Sequence, residues 1–144
     1  MILDFMDEFT TSGGQAVTAD AIGTKVKDAG SGNTRDLGRG EAIYPYIRIT
    51  ADAAANPTTG ETVDIVGADN AALTSNVVVL STTYILAAAL TASSVHQMAP
   101  LKGNVQKRYH GCRFVNTGGA PSTGKWIVGL VDKSARPQNE EAQL

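Results

Sequence analysis

The sequence predicts an all-β fold, a sandwich or barrel. Helix signals are poor. Fifteen glycines, with Thr, Ser, Asn and Asp, break the chain every eight to twelve residues. Short runs rich in β-branched and aromatic residues fill the intervals, the pattern of antiparallel sheets. A length of 144 residues suits one domain with a real core. That domain is expected over residues 1–133, followed by a polar tail over residues 134–144.

The runs in order cover residues 15–18, 22–27, 41–50, 61–66, 76–80, 83–90, 95–101, 105–116 and 125–132. The clearest is 41–50. Its alternation sets Ile43, Ile47 and Ile49 on one face and Tyr44, Tyr46 and Arg48 on the other. Pro45 cannot donate a ladder hydrogen bond, so this strand is expected at an edge or bulged there. Turn signals lie at Gly13-Gly14, Gly30–Asn33, Asn56-Pro57, Gly67–Asn70 and Gly118-Gly119. Ala87-Ala88-Ala89 is the main helix-friendly stretch, but Thr82 to Ile85 lead into it and Thr91 closes it, so it is read as strand. The N-terminal MILDFM sets Ile2, Leu3, Phe5 and Met6 ahead of any turn. An apolar end has to be covered, by its own sheet or by a partner, and an extended arm is expected there. The tail after Arg136-Pro137 is polar, lacks periodicity, and is expected to be a mobile end.

Composition narrows the function. The longest apolar run, residues 84–90, is far short of the roughly 20 residues a membrane helix needs. The acidic start does not look like a secretory leader, so assembly in the cytoplasm is expected. The single cysteine, Cys112, allows no internal disulfide. Net charge is −2, with five Lys/Arg and eleven Asp/Glu in residues 1–72 against seven and three in residues 73–144. No dense basic face suggests nucleic-acid binding. The two halves either present opposite patches to a partner or interleave in the fold, and interleaving is the preferred reading for antiparallel sheets.

The candidates for chemistry are weak. Gly38-Arg39-Gly40 lacks the Lys-Ser/Thr of a phosphate loop, and a strand rather than a helix follows it. It reads as a turn, with Arg35 and Asp36 each placed to tie down a neighbouring strand. His110 and Cys112 resemble half a metal site, which Asp132 or Asp64 would have to complete. Packing explains them as well, with His110, Cys112 and Phe114 inward and Tyr109 and Arg113 outward. No Gly-x-Ser-x-Gly elbow occurs, and the carboxylate pairs Asp7-Glu8 and Glu140-Glu141 lie near the chain ends, where solvation leaves them ordinary. No enzyme activity, metal or other cofactor is expected. Tyr44, Tyr46, Arg48, Tyr109 and Arg113 are residue types used as interface anchors, and equally types that pair across strands.

The order of several motifs resembles the cement proteins that decorate the heads of short-tailed bacteriophages. The matching stretches are MILD at the start, QAVTADA at 15–21, RDLGRGEAIYPYIRI at 35–49, KRYHGCRFV at 107–115 and GLVD at 129–132. Residues 51–101 match poorly, and His110-Gly111 interrupts the leucine and arginine alternation of the family's late strand. The resemblance implies a jelly-roll-like antiparallel β-sandwich on the outer surface of the virion head. It further implies a homo-oligomer, dimer or trimer, that clamps neighbouring major capsid protein subunits without nucleic acid or membrane. The residues expected to carry contact or its organisation are Ile2, Leu3 and Phe5 of the arm, Arg35 and Asp36, Tyr44 and Tyr46, and Arg108 and Tyr109. The rival reading is a small β-sandwich binding module, for example for carbohydrate. Such a site usually presents a flat row of aromatics, and the chain has only eight Phe, Trp and Tyr residues.

Overall fold

The computed structural model describes residues 8–11, 13–38, 43–52, 59–119, 121 and 123–131. Among the described residues nine strands are formed: β1 Gln15–Ala16, β2 Ala21–Ile22, β3 Lys27–Asp28, β4 Tyr44–Ala51, β5 Gly60–Ala68, β6 Val78–Leu86, β7 Val95–Gln97, β8 Tyr109–Thr117 and β9 Lys125–Val131. They make two antiparallel sheets. The first has the order β1-β9-β4-β7; the second has β2-β8-β5-β6, with β3 beside β2 on the same flank of β8. The pairing is nested in sequence: β1 with β9 encloses β2 with β8, and inside these β4 with β7 encloses β5 with β6. A long hairpin folded over itself produces this nesting, and it is the winding of a jelly roll.

The core lies between the sheets, where period-two alternation sends it. Ile47 and Ile49 of β4, Trp126 and Val128 of β9, Val63 and Ile65 of β5, and Cys112 and Phe114 of β8 are all buried. The rings of Phe114 and Trp126, one from each sheet, meet edge to face with centroids 6.2 Å apart, a geometry that adds to the burial of both. Phe9 and Val17 close the same cluster from the N-terminal segment.

Several sequence expectations change for identifiable reasons. Runs 76–80 and 83–90 are one strand, β6. The polar residues between them keep to the sheet because their hydroxyls are satisfied: Ser81 Oγ donates to the Ala99 carbonyl at 2.7 Å, and Thr82 Oγ1 donates to Asp64 Oδ1. Ala87–Ala89 is a 3-10 turn, not a strand. The chain leaves the second sheet at Leu86 and must turn to reach the first. Run 22–27 splits into β2 and β3, because Gly23 bonds the Cys112 carbonyl while Lys25 bonds that of Phe9. Run 95–101 pairs as β7 only to Gln97; beyond it the chain passes from the first sheet (Leu101 N–H to the Ile43 carbonyl) to the second (Lys102 N–H to the Leu80 carbonyl). Run 105–116 enters β8 only at Tyr109.

β4 is an interior strand, not an edge. Pro45 is nevertheless tolerated. The bonds from Ile49 N–H to the Ser94 carbonyl and from Met98 N–H to the Pro45 carbonyl show that odd-numbered residues of β4 face β7. Pro45 therefore lacks its donor just past the end of that three-residue strand, where no ladder needs it. The charged halves interleave as preferred above: Asp28, Asp64 and Asp69 from the acidic half pair with Arg108, Arg113 and Lys107 from the basic half.

Candidate functional site

The charged and aromatic residues singled out in the sequence fall in two places. Arg35, Asp36, Arg108 and Tyr109 gather at one end of the second sheet, where β3 ends, β8 begins and the 33–38 loop crosses. Tyr44 and Tyr46 stand on β4 of the first sheet. Ile2, Leu3 and Phe5, like Arg39 to Ala42, Asp132 and the tail, lie outside the described residues.

The end cluster is built from the backbone up. Arg35 and Lys107 form an isolated two-way bridge, with N···O distances of 2.8 and 3.2 Å. Asp36 then caps two backbone amides: Oδ1 accepts from Gly38 at 3.1 Å and Oδ2 from Asn104 at 2.9 Å. RDLG is thus a turn, as the sequence suggested, clipped to the 102–107 segment by a carboxylate. Gly38 is required by close approach rather than by a left-handed backbone, because a Cβ there would run into the carbonyl of Lys102 and the amide of Gly103. With the loop pinned, Arg35 projects from it exposed, and among the described residues its guanidinium joins no ion pair.

Arg108 is held differently. It grips Asp28 with two parallel bonds, Nε to Oδ1 at 2.8 Å and Nη2 to Oδ2 at 3.1 Å, the strong fork geometry for this pair. Its guanidinium lies 4.8 Å from the ring centre of Tyr109. The Arg108 bond and that from the Gly30 amide hold the Asp28 carboxyl below its ordinary pKa of 3.8. Lys107 pairs with Asp69 at 3.0 Å, and Asn76 and Lys107 together lower the Asp69 pKa. The result is a solvent-facing cluster of alternating charge with one half-buried aromatic, held in place by the chain's own contacts.

His110 and Cys112 point inward, as the packing reading has it, with 1% and 0% of their surfaces exposed. Burial, then the nearby Arg35, pushes the His110 pKa down from 6.5 to about 4, so the ring is neutral at neutral pH. Burial also raises the Cys112 thiol far above its ordinary range. Asp64 does not join them. It faces the other side of the sheet, bound to Thr82 and to Arg113 Nη2 at 3.2 Å. His96 is in the first sheet, its Nε2 3.1 Å from the Ala89 carbonyl. Among the described residues no group of three or more His, Cys, Asp or Glu is placed to hold a metal ion.

The tyrosines depart from the solvated face expected of them. Tyr46 is buried, with 5% exposed and its hydroxyl 3.3 Å from Gln97 Oε1, and Tyr44 is half-buried. The reason is position: a side chain in the middle of a sheet, here between β9 and β7, is shielded by its neighbours on both sides. They form no exposed aromatic row of the kind a carbohydrate platform uses. Arg113 is also half-buried and tied to Asp64 rather than free on the surface.

Two features escaped the sequence reading. One is Glu61, fully buried, with neither carboxyl oxygen hydrogen-bonded. Its signal was present, since it is in phase with Val63 and Ile65 along β5. The other is a slot of about 430 Å³ between β6 and β7, which no local pattern foretells.

Fold and cluster together define a class first: an antiparallel β-sandwich protein with a preformed polar end. The Bbp16 family model matches residues 11–130, most of the length, and the chain belongs to the Bbp16 family, a phage-related one by its name. No curated protein matches the chain.

Proposed function

We propose that this chain is a virion structural protein, a capsid cement that binds the outer surface of a phage head and clamps neighbouring major capsid subunits. The observation that carries the reading is the membership of a phage-related family by a sandwich whose prominent exposed groups are immobilised for contact. Arg108 is locked by Asp28, and the loop bearing Arg35 is clipped by Asp36. Preorganised side chains lose little entropy on binding, and many modest contacts across a symmetric shell add up to strong attachment. Catalysis has no part in this reading. The groups whose pKa values move furthest, Glu61, His110 and Cys112, are sealed inside the sandwich away from any substrate.

The test is co-sedimentation of the purified protein with phage heads, followed by electron microscopy of the decorated particles. Added density at fixed lattice positions is expected. The double variant Arg35→Ala/Arg108→Ala should weaken attachment at least about tenfold while the fold persists, as truncation of interface arginines commonly does. Heads that take up no protein at saturating concentration would overturn the reading.

A further inference from the structure

β8 runs between β2 and β5 in the second sheet, and three oxygen-bearing side chains from these neighbours gather near its end. Glu61 of β5 is the register partner of Asn116 of β8. The Asn116 backbone amide points away from β5, to Asp20 Oδ1 at 2.8 Å, and the Cys112 carbonyl, in the same phase, points the same way to Gly23. Glu61 and Asn116 therefore share no ladder bond. Pairs of that kind bring their side chains closest, with Cβ atoms about 4.5–5.5 Å apart. Both face inward, in phase with the buried Val63 and Ile65 on one strand and Cys112 and Phe114 on the other. Asp20 stands just ahead of β2, on the opposite flank of Asn116. Its Oδ1 also accepts from Asn116 Nδ2, at 2.9 Å. A carboxylate can only accept, so this bond settles which end of the side-chain amide is which. Nδ2 turns to Asp20, and Oδ1 is left on the flank of Glu61.

The outcome is three buried acceptors and no donor. Glu61 is fully buried with neither carboxyl oxygen hydrogen-bonded, and Asn116 Oδ1 is buried without a partner. Among the described residues no Lys, Arg or His forms an ion pair with Glu61 or Asp20. The Asp20 charge reaches Glu61 and adds to burial in disfavouring its ionised form. Two acids that repel each other, with an amide oxygen between them, are brought together by the strands rather than by attraction. The arrangement costs free energy unless positive charge enters it. We propose that Glu61, Asn116 and Asp20 bind a calcium ion. The donors are all oxygen, which suits a hard cation and not a zinc or copper ion. Glu61 offers two oxygens, Asn116 its Oδ1 and Asp20 its Oδ2, and the exposure of Asp20 admits water to complete a shell of about six to eight ligands. Calcium accepts so irregular a set, whereas magnesium demands a near-ideal octahedron. The ion joins β2 to β5 across β8, where β2 by itself contributes a ladder of two residues. Its role is to stabilise the sheet, and it stands whether or not the protein binds heads.

Calorimetric titration of calcium chloride into the full chain, first stripped with a chelator, tests it. One ion per chain is expected, with a dissociation constant on the order of 10⁻⁴–10⁻³ M, the weak end of calcium sites, as befits few charged ligands. Calcium at about 10 mM should raise the melting temperature by roughly 3–10 °C over the chelated protein. Glu61→Gln keeps the shape of the side chain and removes its charge. In chelator it should melt no lower than the parent, yet bind calcium at least about tenfold more weakly and lose most of the rise. Asp20→Asn, at an exposed position, should weaken binding in the same direction and carries the test should the buried variant fail to fold. Neither heat nor a melting shift at the highest calcium concentration, or a calcium response that the folded variants leave intact, would each overturn the proposal.

Discussion

Glu61 and Asn116 face each other across β5 and β8 inside the sandwich, and neither the Glu61 carboxyl oxygens nor Asn116 Oδ1 has a hydrogen-bond donor. Asn116 spends its own amide on Asp20, through Nδ2 at 2.9 Å. Burial, with the Asp20 charge adding to it, raises the Glu61 pKa from 4.5 to about 8. Its proton is thus retained at neutral pH, and a protonated carboxyl brings a donor of its own.

The folded state therefore binds a proton at Glu61 that the unfolded chain has lost, throughout pH 4.5 to about 8. Within that window this group lowers stability as pH rises, by up to about 1.4 kcal/mol per pH unit. Glu61→Gln, neutral at every pH and equipped with an amide donor, should flatten that slope and melt above the parent at pH 8.5. Melting temperatures from pH 5 to 8.5 decide the matter; an identical slope in both proteins would clear Glu61 of the effect.

His110 works in the opposite sense. Its folded pKa of about 4 lies below the ordinary 6.5, so between those values the unfolded chain holds the extra proton and stability falls as pH drops. His110→Gln should hold its stability better between pH 6.5 and 4 than the parent does, relative to each protein's value at pH 7. Urea midpoints at four pH values would measure it, and parallel acid limbs would rule the ring out.

Gly38→Ala should cost about 1–3 kcal/mol, since the new methyl meets backbone that cannot rotate away. The loss belongs to the clip between the 33–38 loop and the 102–107 segment. A midpoint shift below about 0.5 kcal/mol, the range of neutral surface changes, would mean the loop is not docked as described.

The Cys112 thiol should be unreactive in the native protein. It is fully buried, 4.0 Å from the Phe9 carbonyl, and its pKa is raised by burial, so thiolate is scarce. One equivalent should react with a disulfide reagent in strong denaturant and almost none without it. Rapid native labelling would contradict the packing of Phe9 and Gly23 over the sulfur.

The family resemblance gives Ile2, Leu3 and Phe5 a part in contact, so on the proposed function deleting residues 2–6 should weaken co-sedimentation with phage heads. Unchanged co-sedimentation would take those residues out of the contact.

Much of the fold was legible in the order of residues. Alternation in run 41–50 named the inward Ile47 and Ile49, because in a strand the facing of a side chain follows from counting by two. The same count applied to run 61–66 sets Glu61 in phase with Val63 and Ile65, but an acid in phase with a core face is easily passed over, since sequence alone does not say whether that end of the strand is covered. His110, Cys112 and Phe114 were rightly read as one inward face. The turn at RDLG was legible from its glycine and aspartate; its clasp on Asn104, 68 positions away, was not. Tyr46 was misplaced because alternation tells which face a residue takes, not whether that face is covered.

The amino-acid order by itself determined the all-β character and the facing of its clearest strands, since these depend on local stereochemistry and the spacing of apolar side chains. Tertiary structure alone decided the ion pairs that join distant halves, the neutrality of His110 and Glu61, and the open seam between β6 and β7. Each of these depends on which segments lie side by side, and therefore on the desolvation and charge neighbours that only the folded chain creates.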